Sequence, residues 1–304
     1  MLKNYFFYFL LASSLFLNAN AAQFRWTDSD ICKPYYLEIN GGIERGDAAK
    51  FSNFLKKSQT KYEEQGCPKS GIFAEPYFQV SVSLNSNGGD VNESMKIGYL
   101  IREREGQTFV YPNKICLSSC VFILAAGVFR QVSSGKVGIH RPYFQDLKDN
   151  LSTSEIKKIR DESVRSWKKY FNDMDIAEAL VDAMLSIDPS KMKILNESEL
   201  EFFRLDGTDA NWDEKITAQD ARKWNLTSSE YRKKQTIASK CHTREAIQNR
   251  SKCEYMTFLD ITSQEYESRK LRVSKCFGEE FSITKESDLK FAESCMFKIL
   301  VLNQ

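Results

Sequence analysis

Leu84-Asn85-Ser86-Asn87-Gly88-Gly89, Ser118-Ser119-Cys120, Leu124-Ala125-Ala126-Gly127 and Gly138-Ile139-His140 mark the stretch on which the reading of this chain turns. The residues leading into it, Phe78 to Leu84, alternate Phe78, Val80, Val82 and Leu84 with Gln79, Ser81 and Ser83, the pattern of a strand. A glycine turn follows. Next comes a helix from Glu93 to Arg104 with Met95, Ile97, Leu100 and Ile101 on one side. Thr108 to Tyr111 reads as a short strand. From Ser118 the run Cys120 to Ala126 is apolar on every side, as expected of a helix buried in a domain centre. Gln131 to Ile139 reads as one strand that His140 closes.

Upstream, Tyr35 to Ile39 is a strand, Asn40-Gly41-Gly42 a turn, and Gly46-Asp47 opens a helix with Ala48, Phe51, Phe54 and Leu55 on its apolar side. Alternating strands and helices imply an α/β fold, a mostly parallel sheet of repeated βαβ units. In such sheets ligands bind at the carboxyl ends of strands, where Gly88-Gly89 and His140 both fall. After His140 the chain turns helical. Ser152 and Glu155 make a capping box for a helix over Ile156 to Phe171, a second helix covers Ile176 to Leu185, and Asn196 with Glu199 caps a third. Thr217-Ala218-Gln219-Asp220 starts one more, carrying Trp224.

Acyl transfer by a serine needs a base for the hydroxyl proton, donors for the developing oxyanion, and a nucleophile held in place. A serine at a buried helix N-terminus lies beside free N–H groups and the positive end of the helix dipole, and Ser118 is so placed. A glycine pair brings a bare backbone N–H close to a reacting carbonyl because no Cβ blocks the approach. The chain has two histidines, and only His140 lies in the α/β segment. The plain structural alternatives are a helix-capping serine and a strand-end histidine satisfied by a backbone carbonyl.

These residues resemble the Clp protease proteolytic subunit and its wider ClpP/crotonase superfamily. Leu84 to Gly89 is similar to that family's N-S-P-G-G turn, and Ser118 to Gly127 to its nucleophile helix, which also runs into A-A-G. Ser118 follows Gly89 by 29 residues and His140 follows Ser118 by 22, both close to the family spacing. The likeness covers Tyr35 to Leu205, strongest between Leu84 and His140. Cys116-Leu117-Ser118-Ser119-Cys120 also looks like the version in exported bacterial Clp-protease-like proteins. The resemblance implies Ser118 as nucleophile, His140 as general base, and the N–H groups of Gly89 and Ser119 as oxyanion hole. It also implies assembly into a homo-oligomer, since members form trimers or rings.

The third member of a triad has two contenders. Distance from His140 favours Asp188, although it sits a few residues early and Met192 occupies the family's position. Ile216 to Ala221 matches the family's helix start better and would bring in Asp213, at the expense of a long insertion. Two departures stand out. Asn87 replaces the family's proline, and Cys120 replaces a glycine in the first turn of the nucleophile helix. Cys116 and Cys120 are either a disulfide bracing the nucleophile or two buried free thiols. A Cys120 nucleophile is a weaker idea, because that residue faces away from Ser118 on the helix.

Residues 1–21 read as a cleavable signal peptide: Lys3, an apolar run from Tyr5 to Leu17, and Ala19-Asn20-Ala21 as cleavage site. The mature chain is then periplasmic or secreted; the alternative is an N-terminal membrane anchor. The resemblance implies a ClpP/crotonase-like domain over residues 22–227, and residues 228–304 read as a separate helical region that disulfides are expected to staple. With 43 basic and 41 acidic residues in all, the balance of charge argues against nucleic acid as partner. All eight cysteines follow the leader, and proximity suggests Cys32 with Cys67, Cys116 with Cys120, and Cys241, Cys253, Cys276 and Cys295 among themselves. Zinc is disfavoured: there is no CxxC pair, and only His242 lies near the last four. An exported chain meets neither coenzyme A nor an ATPase. The expected activity is therefore an ATP-independent serine peptidase acting on peptide or protein without a cofactor. A catalytically silent scaffold that binds peptide or a partner protein is the alternative.

Overall fold

The computed structural model describes residues 21–26, 35–64, 80–143, 151–242, 250–277, 294 and 297–301. Strand β1 (Gln23–Trp26) runs antiparallel to β2 (Tyr35–Asn40) at the edge of a six-stranded sheet. Beyond β2 come β3 (Val80–Asn85), β4 (Gln107–Val110) and, after an excursion, β6 (Phe129–Val132), all parallel. The antiparallel β9 (Gly207–Thr208) closes the other edge. Helices α1 (Asp47–Glu64), α2 (Val91–Arg102) and α3 (Cys120–Ala125) connect successive parallel strands. Their apolar residues, among them Phe51, Leu55, Ile97 and Ile101, join Leu37, Ile39, Val80, Val82 and Leu84 of the strands in one core. The chain is thus a mixed α/β protein with a mostly parallel sheet and a helical C-terminal part.

The excursion builds the second sheet, in which β5 (Ile115–Leu117) pairs parallel with β7 (Lys136–Ile139) and β7 antiparallel with β8 (Lys193–Ile194). Two sequence expectations need correction here. Gln131 to Ile139 is not one strand: Ser134 turns the chain at φ +56°, and β6 and β7 fall in different sheets. Ser118 does not start the helix either. It directly follows β5, and α3 begins two residues later, with Ser119 as its N-cap residue.

Every residue of α3 is buried, so its C-terminal carbonyls cannot turn to water and need protein donors. Three side chains from other elements serve them. Tyr170 Oη donates to Phe122 O at 2.6 Å, Thr108 Oγ1 to Leu124 O at 2.7 Å, and Arg130 Nη1 to Ala125 O at 3.3 Å and Gly127 O at 2.8 Å. Burial lowers the Arg130 guanidinium pKa to about 10, which leaves it protonated at neutral pH, a cation at a helix C-terminus.

Tyr170 belongs to α4 (Thr153–Asp173), which starts in the expected Ser152/Glu155 capping box. Helices α5 (Ala179–Ser186) and α6 (Glu197–Phe202) follow, the latter in the Asn196/Glu199 box. The helix expected to start at Thr217 begins earlier, as α7 (Ala210–Lys223). Its N-cap is Asp209, whose carboxylate accepts from Trp212 N and pairs with Arg102 at 3.0 Å. Helices α8 (Ser228–Ala238), α9 (Arg250–Leu259) and α10 (Ser263–Phe277) form the C-terminal part. A second, smaller core lies there: Phe258 stacks on Trp224 and Tyr231, Ala221 and Ala238 are buried beside them, and a Cys241–Cys253 disulfide ties α9 to the chain after α8. No helix among the described residues is long and apolar enough to cross a membrane. The leader, apart from Ala21, lies outside the described residues, as do Cys32, Cys67, Cys295 and the side chain of Cys276.

Candidate functional site

Strands β5 and β7 are parallel neighbours with Leu117 opposite Gly138. The residue just past β5 is Ser118 and the residue just past β7 is His140, so register alone carries both to the same carboxyl edge. Ser118 N–H donates to Gly138 O at 2.8 Å, which locks the end of β5 against β7. There the serine adopts φ +54°, a left-handed conformation that costs a non-glycine residue about 1–3 kcal/mol unless its surroundings enforce it. The enforcement is visible on both sides. A disulfide joins Cys116 and Cys120, closing a ring around Leu117, Ser118 and Ser119, and the buried α3 holds the far end. The same bond removes Cys120 as a free thiol.

In this conformation Ser118 Oγ stands 2.7 Å from His140 Nε2. The hydroxyl is turned to the imidazole rather than to a helix N–H, so the capping alternative does not describe it. For Nε2 to accept from Ser118, the ring proton must sit on Nδ1. That atom is buried and has no hydrogen-bond partner among the described residues. The Tyr143 ring meets the imidazole edge-on with centroids 5.5 Å apart, and Tyr143 Oη donates to Pro189 O at 2.5 Å. Burial pushes the imidazole pKa below its ordinary value of 6.5, and the backbone of Pro189 and Arg141 beside the ring offsets only part of this. The ring is active as a base when neutral, and a lowered pKa keeps it neutral to lower pH. Activity that depends on it should therefore keep more than half of its plateau at pH 6.5; a kcat/KM profile with its acid midpoint above 6.5 would contradict the assignment.

The glycine turn lies against the same elbow. Ile43 N donates to Gly88 O and Asp90 N to Ile43 O, both at 2.8 Å, so the bridge leaves the Gly89 N–H unused. Neither Gly89 N–H nor Ser119 N–H has a hydrogen-bond partner among the described residues. Gly88 is where the two segments touch. A Cβ there would lie 2.6 Å from Leu117 O, 2.8 Å from Ser118 Cβ and 2.9 Å from Ser119 N. Only glycine permits that approach at φ +91°. On the far side Ser94 Oγ and Ser119 Oγ are 3.0 Å apart, which ties α2 to the elbow.

The two aspartates are elsewhere. Asp188 is exposed after α5, where it accepts from Ser190 Oγ at 2.6 Å and from Ser190 N at 2.9 Å. Those bonds, with a smaller contribution from Arg141, hold its carboxyl below the usual range. Asp213 lies in the first turn of α7, paired with Arg232 at 2.9 Å. Neither is hydrogen-bonded to His140. The structure instead brings up two groups that sequence reasoning passed over, the Tyr143 side chain and the Pro189 carbonyl. Their only local signal was adjacency, Tyr143 to His140 and Pro189 to Asp188. Among the described residues no group of three or more His, Cys, Asp or Glu is placed to hold a metal ion.

No family model and no curated protein matches the chain. Among solved structures it is similar to a point mutant of the 1510-N membrane-bound stomatin-specific protease. That likeness has 14% identity over 59% of this chain and 82% of the other, with a TM-score of 0.40. So loose an overlap carries no argument about chemistry, which rests on the residues of the elbow themselves.

Proposed function

We propose that the chain is an exported serine hydrolase, an ATP-independent peptidase with Ser118 as nucleophile and His140 as general base. The observation that carries this reading is the 2.7 Å contact between Ser118 Oγ and His140 Nε2, made by a serine held at φ +54°. As Oγ bonds to the substrate carbonyl carbon, its proton passes to Nε2. The carbonyl oxygen becomes an oxyanion, for which the unused Gly89 and Ser119 N–H groups are the donors. The C–N bond breaks as Nε2 returns the proton to the amine. Water, deprotonated by the same nitrogen, then attacks the acyl carbon; the bond to Ser118 Oγ breaks as Nε2 returns the proton to that oxygen, and the acid leaves. Neither step requires a metal, an organic cofactor or ATP. The disulfides and the leader support an oxidising compartment outside the cytoplasm. The substrate is then a peptide or an unfolded protein, not nucleic acid, and a homo-oligomer is the expected assembly.

One observation favours a second reading. His140 Nδ1 has no carboxylate partner among the described residues, and an imidazole without an orienting acid is a weaker base, which suits a peptide-binding scaffold without catalysis. A fluorophosphonate probe on the oxidised mature protein separates the two. The hydrolase reading expects covalent labelling that disappears in Ser118→Ala. Well-folded wild-type protein that takes no label is a scaffold.

A further inference from the structure

The ring nitrogen of His140 that Ser118 does not engage is where the site lacks a group. Nδ1 is buried and unpartnered among the described residues, and Asp188 and Asp213 are bonded elsewhere. Two bonds nevertheless tie the segment after β7 to the turn after α5, one on either side of Asp188. Arg141 N donates to Ile187 O at 3.2 Å, and Tyr143 Oη donates to Pro189 O at 2.5 Å. Asp188 shapes that turn: its carboxylate accepts from Ser190 N and Oγ, and its carbonyl accepts from Lys191 N at 2.9 Å. The tyrosine that holds Pro189 O also sets its ring edge-on to the imidazole, with centroids 5.5 Å apart. Burial is the largest influence on the imidazole and lowers its pKa, while the Pro189 backbone favours the charged ring. Since proline carries no N–H, the group concerned is its carbonyl oxygen. A carbonyl oxygen has two lone pairs, so one given to Tyr143 leaves the other for a ring N–H.

Resting on the hydrolase reading for the role of His140, we infer that Tyr143 is a positioning residue that holds the Pro189 carbonyl as acceptor for His140 Nδ1–H, the place a triad gives to a carboxylate. An acceptor at Nδ1 keeps the ring proton there and leaves the Nε2 lone pair to Ser118. When Nε2 takes the Ser118 proton, the ring carries an N–H on both nitrogens and a positive charge. The Nδ1–H bond to Pro189 O, absent in the resting site, then closes, as catalytic hydrogen bonds that are long at rest tighten during reaction. A neutral carbonyl stabilises the imidazolium less than a carboxylate does, so the chain is a slow hydrolase.

Nitrogen NMR of the histidine rings tests this whether or not the wild type is catalytic. The mature protein has two histidines, and the signal lost in His140→Gln assigns the ring. The Ser118→Ala protein is the background for the measurement, because the serine no longer selects the tautomer there. The neutral His140 ring should carry its proton mainly on Nδ1, and adding Tyr143→Phe should make Nε2–H, the commoner form in free histidine, the majority. In the otherwise wild-type chain, Tyr143→Phe should lower kcat about tenfold, the order of one lost hydrogen bond, with KM within about twofold. Tyr143→Ala, which also removes the ring contact, should lower it by about 10²-fold. The melting temperature should hold in Tyr143→Phe, because the side chain is exposed. A ring protonated on Nε2 before Tyr143 is changed, a tautomer that ignores Tyr143→Phe, or a change in KM alone overturns the inference. Missing fluorophosphonate labelling in the wild type, with the tautomer still shifting in Tyr143→Phe, would overturn the hydrolase reading and leave the positioning role standing.

Discussion

His140→Gln lowers kcat on an activated ester or a peptide by about 10³-fold, equivalent to about 4 kcal/mol of transition-state stabilisation. Glutamine can still hydrogen-bond Ser118 Oγ, but it cannot take the proton that nucleophilic attack releases. The fold should survive, because among the described residues the ring's side-chain partner is Ser118 and its other nitrogen has none. The loss therefore reports proton transfer and not collapse, which a thermal melt run beside the kinetics checks. Coupling sharpens the test. Two groups that act as a unit are lost together, so Ser118→Ala combined with His140→Gln should be no slower than the worse single variant. Multiplying losses would show two independent contributions, and an unchanged kcat in His140→Gln would remove the histidine from the mechanism.

Gly88→Ala should lower kcat/KM by about 10²-fold although Ser118 and His140 are both retained, because displacing a reacting group by about 1 Å costs that much. The added methyl meets Leu117 O, Ser118 Cβ and Ser119 N, and all three belong to the elbow. None is the far end of a flexible chain. Leu117 N is bonded to Ser86 O and Ser118 N to Gly138 O, so the elbow yields only by shifting the nucleophile and an oxyanion donor together. The same methyl forces a side chain into φ +91°, which costs a further 1–3 kcal/mol or so of stability. Gly207→Ala separates the two effects. Its φ of +119° carries comparable strain, but a Cβ there meets nothing within 4 Å, and it lies on the edge strand β9. Stability should fall in both variants and rate only in Gly88→Ala. Wild-type kcat/KM in Gly88→Ala would show that the glycine turn has no part in positioning Ser118.

Much of the main α/β part is written locally. The strand into Leu84, the apolar face of α2 and the capping boxes at Ser152 and Asn196 all depend on residues within a turn or two of each other. The boxes form as expected, α2 starts two residues earlier, and β3 holds Val80 to Leu84 of the expected strand, Phe78 and Gln79 lying outside the described residues. Errors arise where local and distant demands compete. Ile115 to Leu117 is too short to announce a strand, and it becomes one because Ser86 and β7 supply its partners. The break between β6 and β7 depends on two sheets that no single segment reveals. Asp209 displaces Thr217 as the start of α7 because its carboxylate caps the helix while also pairing with Arg102, 107 residues away.

Residue types and spacing alone singled out Ser118 and set the Gly88-Gly89 turn and His140 at the carboxyl ends of strands, because alternation and turn residues are local signals. That Ser118 follows a strand of a second sheet, and does not open a helix, was decided by tertiary structure. Tertiary structure alone decided what surrounds them. It placed Asp188 on Ser190 and Asp213 on Arg232, and it put Tyr143 and the Pro189 carbonyl beside the imidazole. It also drew Tyr170 and Thr108 from 48 and 16 residues away to the carbonyls of α3. The buried carbonyls of α3 need donors, and which donor reaches them depends on how whole elements pack, as does what comes to lie beside the imidazole; no short stretch of sequence specifies that packing.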